Sequence, residues 1–194
     1  MTITVRPANE ASLADLRAVF GSRGDPANCQ CQWFKARDVW SLPKEERADR
    51  LRSQTHCGDA GAEQTSGLVA YLDGEPAGWC AVEPRAAYER LLRARIPWTG
   101  RAEDKTDPGV WAVTCFVTRT GYRRQGISRA LARAAVTFAR ERGAHAVEGY
   151  PIVAEPGRVA GGELFVGSAT VFAEAGFTEV TRPTPRRAVM RIDF

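Results

Sequence analysis

A chain of 194 residues, 44% hydrophobic and 26% charged, is long enough for one domain of ordinary size with a real core. Its longest apolar runs, 67–72 and 79–82, are far too short to cross a bilayer, and MTITVRPANE lacks the apolar centre of a secretion signal, so neither a membrane partner nor export is expected. A net charge of +4 raises a nucleic-acid partner, but the arginines run from Arg6 to Arg191 among 23 acidic residues, which is the pattern of a solvated surface; no nucleic acid is expected.

Ile3 and Val5 alternate with polar neighbours and predict a first strand. Leu13, Leu16, Val19 and Phe20 fall at helical spacing behind a cap at Asn9 or Ser12. Residues 21–28 read as a loop leading into Cys29-Gln30-Cys31-Gln32-Trp33-Phe34, a segment dense in thiols and rings. Ser41 and Leu42-Pro43-Lys44-Glu45-Glu46 predict a helix start, because proline and acids suit a first turn, and the helix runs to about Ser53. Residues 58–66 are a small, polar loop. Residues 68–72 and 77–82 form a hairpin through Asp73-Gly74. Residues 84–109 are a long charged connection with a short helix near 88–92, and a connection of that length in one domain tends to be functional.

Val110 to Thr118 is the next strand. Gln125 to Arg142 is the clearest helix, with Ile127, Leu131, Ala134, Ala135 and Phe138 on one stripe and Gly143 as its left-handed cap. Ala146 to Tyr150 is a strand stopped by Pro151, Gly157 to Gly162 a loop, and Ser168 to Ala175 a helix closed by Gly176. Residues 177–181 and 188–192 complete the chain as strands. There is no repeat and no linker. The order describes one α/β domain over residues 1–194 with a mixed sheet.

The chemistry concentrates at Thr118-Arg119-Thr120-Gly121-Tyr122-Arg123-Arg124-Gln125-Gly126-Ile127-Ser128, where a strand turns directly into a helix. A helix N-terminus exposes unpaired N–H groups and binds phosphate. Gly126 lets a pyrophosphate approach the backbone, and Arg123 and Arg124 add charge. A triphosphate-binding loop would need Gly-Lys before Ser or Thr, and a dinucleotide fingerprint three spaced glycines; neither is present.

These residues resemble the signature of the GNAT superfamily of acyl-CoA-dependent N-acetyltransferases: Arg or Gln, two residues, Gly, one residue, then Gly or Ala. Arg123-Arg124-Gln125-Gly126-Ile127 matches, while Ser128 departs from the usual Gly or Ala but stays small. Ala173-Glu174-Ala175-Gly176-Phe177 resembles the family's last helix and its Gly-Phe exit, and Asp73-Gly74-Glu75-Pro76-Ala77-Gly78 its second hairpin. The resemblance implies a GNAT-like fold, a mixed and mostly antiparallel sheet of about seven strands flanked by helices. It implies transfer of acetyl from acetyl-CoA, as co-substrate, directly to an amine, a small molecule rather than a protein. A cytoplasmic location follows, and a homodimer stays open.

By the same resemblance, backbone N–H groups of Arg123, Arg124, Gln125, Gly126, Ile127 and Ser128 hold the pyrophosphate, and Cys115, Phe116 and Val117 pair with the pantetheine arm. The family's usual acid, a tyrosine in the last helix, falls on Phe172, which has no proton to give. Glu148 as base and Tyr150 as acid are nominated instead, from alternation on one strand; a surface ion pair and core packing are the plain alternatives. Trp33, Phe34, Trp40 and Trp98 are the candidates to line an acceptor pocket. Acids Glu83, Asp104 and Asp107 would suit a cationic acceptor but read as solvated.

Cys29, Cys31, Cys57, Cys80 and Cys115 make an odd thiol set, read as reduced; the spacing of Cys29, Cys31, His56 and Cys57 is not that of common zinc sites, so no metal is expected. An adjacent His56-Cys57 pair does not make a hydrolase nucleophile. Transfer of a longer acyl group, or to oxygen, and a non-catalytic acyl-CoA-binding module remain alternatives.

Overall fold

The computed structural model describes residues 1–153 and 161–194. In chain order its elements are β1 (Ile3–Pro7), α1 (Leu13–Phe20), α2 (Gly24–Cys29), α3 (Lys44–Thr55), β2 (Gly67–Leu72) and β3 (Glu75–Pro84). Then come α4 (Glu89–Arg93), β4 (Val110–Thr118), α5 (Ile127–Glu141), β5 (Ala146–Gly149), α6 (Ala169–Glu174), β6 (Thr178–Thr184) and β7 (Arg187–Asp193). The strands form one sheet in the order β1-β2-β3-β4-β5-β7-β6. Among the described strands only β4 and β5 run parallel, because α5 carries the chain back between them. That is the expected mixed, mostly antiparallel sheet of seven strands flanked by helices. Among the described residues no helix is long and apolar enough to cross a membrane.

Two features depart from the sequence reading. The expected loop at 21–28 contains α2, because Pro26 sits in its first turn, where a missing N–H costs nothing. The clearest helix starts at Ile127 rather than Gln125, because Gly126 at its N-cap takes φ +83°, outside the helical region. Of the loop expected at 157–162, residues 157–160 lie outside the described residues, and a 3-10 turn begins at Gly161. Elsewhere the local signals act as read. Ser12 caps α1 through a reciprocal box with Asp15, each bond 3.0 Å.

The sheet separates two cores. Against one face pack Ile127, Leu131, Ala135 and Phe138 of α5, with Val82, Val113, Phe116 and Phe172. Against the other, α1 and the 31–36 segment cover Trp79, Ala81, Cys115 and Val117, with Tyr88, Leu91, Ala112 and Tyr150 beyond them. Between the cores the sheet forks. β4 pairs with β5 only from Val110↔Ala146 to Val113↔Gly149. One residue later β4 bulges: Ala81 faces Cys115 and Val82 faces Val113, leaving Thr114 as the extra residue.

Candidate active site at the fork of the sheet

The turn after β4 is built on glycines and one arginine in left-handed backbone, Gly121 at φ +92°, Arg124 at +60° and Gly126 at +83°. The Arg119 N–H bonds Ala77 O at 2.9 Å and the Tyr122 N–H bonds Arg119 O at 3.0 Å, which fixes the turn to the hairpin. No side chain caps α5 and no acid occupies its first turn. Its first N–H groups therefore keep both their unpaired hydrogens and the positive end of the helix dipole. They open onto a cavity of about 220 Å³ lined by Thr118, Tyr122, Arg124, Gly126, Ile127, Ser128, Arg129 and Val171.

Four of the six expected pyrophosphate residues, Arg124, Gly126, Ile127 and Ser128, thus line one cavity. Arg123 is exposed and does not line it; Gln125 instead donates to Gly121 O at 3.1 Å. Thr118, Arg129 and Val171 also line it. Arg129 could have been found from its place one helical position after Ser128, whereas Val171 comes from α6, far off in sequence. Of the pantetheine candidates, Cys115 and Val117 face the α1 side and Phe116 the α5 side. Beyond Val113 no described strand pairs with the β5-facing edge of β4.

Glu148 lies elsewhere than an exposed base would. Its side chain is fully buried and bonded by Arg191 Nη1 at 2.8 Å, by both Arg101 terminal nitrogens and by the Tyr150 hydroxyl at 2.8 Å, with Arg85 Nη1 at 3.2 Å. Burial alone would push this carboxyl up, but the bonds from Arg101 and the charges of Arg101 and Arg85 hold it below the ordinary value. Burial and the Glu148 charge push the Tyr150 hydroxyl well above its ordinary value. Alternation did place both side chains on one face, the face opposite α5. A carboxylate held by three guanidiniums is a weak proton acceptor, so the roles given to Glu148 and Tyr150 do not suit these surroundings.

The aromatic candidates divide. Trp98 is buried, donates to Leu91 O at 2.9 Å, and is flanked by Arg85, Arg101 and Lys105 within 5.0 Å of its ring. It is packed into the arginine cluster, surroundings that suit a supporting role better than the acceptor-pocket role expected from sequence. Trp33 stacks on Arg90 at 3.6 Å and lies 6.3 Å from Trp40, while Phe34 lies 6.2 Å from Phe165. Trp40 is 57% exposed. These three share the 31–41 segment on the α1 side. Asp104 is exposed as expected, whereas Asp107 is half-buried beside His145 at 3.0 Å. Glu83 is not solvated: it is ion-paired to Lys35, with side-chain exposures of 16% and 8%. Among the described residues no three His, Cys, Asp or Glu group as a metal site.

Phe172 is wholly buried and meets Phe116 and Phe177 edge-on at 5.8 and 4.9 Å. A Cβ on Gly149 would stand 2.7 Å from its Cδ1, so the ring occupies space that only glycine leaves free. We therefore expect Phe172→Tyr to bury an unpartnered hydroxyl and lose about 1–3 kcal/mol of stability. Thermal denaturation should show a melting temperature lower by about 2–12 °C, with no gain in turnover.

No curated protein sequence matches this chain. Among solved structures, it is similar to a GCN5-related N-acetyltransferase from Kribbella flavida, at 19% identity and TM-score 0.56, over 99% of this chain and 98% of that one. It is similar to the PaiA N-acetyltransferase from Thermoplasma acidophilum in complex with coenzyme A, at 14% identity and TM-score 0.51, over all of both chains. It is also similar to YncA from Salmonella typhimurium, a putative acetyltransferase with acetyl-CoA, at 13% identity and TM-score 0.54, over 98% of this chain and 93% of that one. Identities this low speak for the fold. The sequence model of the Acetyltransferase (GNAT) family matches residues 31–155, a stretch that contains β4, the Arg124–Gly126 turn and α5. The chain belongs to the GNAT family of acetyltransferases.

Proposed function

We propose that this protein is an N-acetyltransferase that passes acetyl from acetyl-CoA directly to the amine of a small molecule, with residues 1–194 acting as one domain. The observation that carries this reading is the uncapped N-terminus of α5 opening on the cavity at the end of a forked strand. That arrangement suits a pyrophosphate at Gly126, Ile127 and Ser128 and an extended pantetheine arm along Cys115, Phe116 and Val117. A backbone N–H beside the Thr114 bulge would then face the thioester oxygen as it takes up negative charge. The structures of similar proteins with coenzyme A and acetyl-CoA support the same co-substrate.

Trp33, Phe34 and Trp40 would flank the acceptor on the other side of the fork. Glu148 and Tyr150, in this reading, anchor β5 rather than carry protons. A cytoplasmic location accords with five cysteines that are all free thiols. Purified protein with acetyl-CoA and a panel of primary amines should release coenzyme A thiol and give products one acetyl group heavier. Tight acetyl-CoA binding without thiol release from any amine would favour the second reading, a non-catalytic acyl-CoA-binding module, for which Phe172 in place of a proton donor is the supporting observation.

A further inference from the structure

One polar cluster on the acceptor side of the sheet has no part in the arginine network. Glu83 stands on β3 opposite Ala112, and its neighbour Val82 faces the α5 core, so the Glu83 side chain points to the other face. There it meets Lys35 from the 31–36 segment and Tyr88 at the start of α4, with Thr114 of the β4 bulge beside Tyr88. We propose that Glu83 is the group that takes the proton from the acceptor ammonium, in a cup it shares with Lys35, Tyr88 and Thr114. This rests on the amine-acetylation reading above and adds its proton acceptor.

Three observations carry it. The first is position: Thr114 is the residue at which β4 leaves β5, so the cup sits at the fork where the thioester would lie. The second is unfilled bonding capacity. Tyr88 and Thr114 are 0% and 2% exposed, yet neither hydroxyl makes a well-formed hydrogen bond among the described residues. The Tyr88 hydroxyl stands between Glu83 and Thr114 with only loose contacts to each, so this is a place where a polar ligand group can complete the bonding. The third is the contrast between the two buried carboxylates. Glu148 is held by three arginines and a tyrosine, whereas Glu83 has one cation.

The charged and titratable groups that face Glu83 are Lys35, Tyr88 and, further off, Cys31. Burial raises the Glu83 carboxyl above its ordinary value, and the Lys35 charge and bond pull the other way. A raised carboxyl suits proton uptake near neutral pH better than one held low.

The step balances. The ammonium gives one proton to Glu83 and becomes a free amine. Its nitrogen lone pair forms the C–N bond at the thioester carbonyl, and the carbonyl pair moves to oxygen. Collapse of that intermediate breaks the C–S bond. The second nitrogen proton goes to the departing thiolate, giving coenzyme A thiol, and Glu83 returns its proton to water.

The test compares Glu83→Gln and Lys35→Met with the parent protein, using the amine that releases most thiol in the panel. Glu83→Gln should lower kcat about a hundred-fold or more, with acetyl-CoA affinity by calorimetry unchanged. Its remaining rate should climb about ten-fold per pH unit as free amine becomes available. Lys35→Met should move the acid limb of the kcat profile to higher pH, a change that a purely structural ion pair would not produce. Should either single variant fail to fold, the double variant Lys35→Met, Glu83→Gln removes both charges together and should show the same kcat loss and pH dependence as Glu83→Gln.

An infrared titration provides a readout independent of acetylation. The parent should show a protonated carboxyl band persisting above the ordinary glutamate range, absent from Glu83→Gln. Absence of that band, or a Glu83→Gln enzyme with parental kcat and acid limb, overturns the assignment. Presence of the band with no amine acetylated by the parent overturns the transfer reading itself.

Discussion

Replacing Gly126 with valine is expected to abolish most of the acetyl-CoA affinity in a protein that still folds. Gly126 holds φ +83° as the residue before the first turn of α5, and its nearest potential Cβ neighbour is Ile3 Cδ1 at 3.7 Å. A side chain there therefore meets little protein, at a residue that itself lines the cavity where the pyrophosphate would sit. The left-handed backbone costs an L-residue about 1–2 kcal/mol, well inside the 5–15 kcal/mol that typically separates folded from unfolded. Charge-assisted bonds from backbone N–H groups contribute about 1.5–3 kcal/mol each, so displacing a phosphate from two of them weakens binding about a hundred-fold or more. Calorimetry on the parent, Gly126→Ala and Gly126→Val separates the two causes. Alanine shares the backbone strain but blocks less space, and should fall between the others. A folded valine variant with parental affinity would remove the phosphate site from this turn.

That turn was legible in the sequence because everything it needs is local. Gly126 and Arg124 are positions where backbone geometry and charge follow from residue type, and the stripe from Ile127 to Phe138 announces the helix that presents them. The mixed character of the sheet was legible for a similar reason, since hairpins join neighbours and the helix between β4 and β5 brings them parallel, whereas the placement of β7 between β5 and β6 has no such local signal.

The acceptor side was not legible, and the reason is register. Glu83 sits between Val82 and Pro84, just past the end of the strand expected at 77–82, and reads as a solvated acid. Only the 31–36 segment, folded across that face, buries it against Lys35. Arg85 reads as one more surface arginine in a charged connection, yet it is wholly buried and bonds the Lys105 carbonyl, Glu103 and Glu148. Pairing across such sequence distances has no local signal. Alternation gave Glu148 and Tyr150 a common face, and nothing in β5 itself could disclose that three arginines from the 85–101 connection and β7 would converge there.

The arginine cluster leads to the second large effect. Glu148→Gln is expected to destabilise the fold strongly while leaving acetyl-CoA affinity close to the parent value in whatever fraction is folded. Glu148 shares with Glu103 the pairing of Arg85, Arg101 and Arg191, whose side chains are 0%, 4% and 15% exposed. Removing one partner of a buried ion pair leaves uncompensated charge and typically costs about 3–5 kcal/mol. For a chain of this length that lowers the melting temperature by about 6–20 °C. Solution pH gives an independent check, and its direction follows from the carboxyl held below its ordinary value in the folded state. Such a group adds stability that is present above the unfolded-state value, about 4.3 for glutamate. That stability is lost as pH falls through the lower folded-state value. The parent should therefore lose stability on acidification below about pH 4, and Glu148→Gln should show a flatter dependence there. Adding Arg101→Met to Glu148→Gln should restore part of the lost stability, because it removes one of the charges left unpaired; a double-mutant cycle measures that coupling. A Glu148→Gln protein with parental melting temperature and a kcat lowered about a hundred-fold would instead make Glu148 the proton acceptor and displace Glu83 from that role.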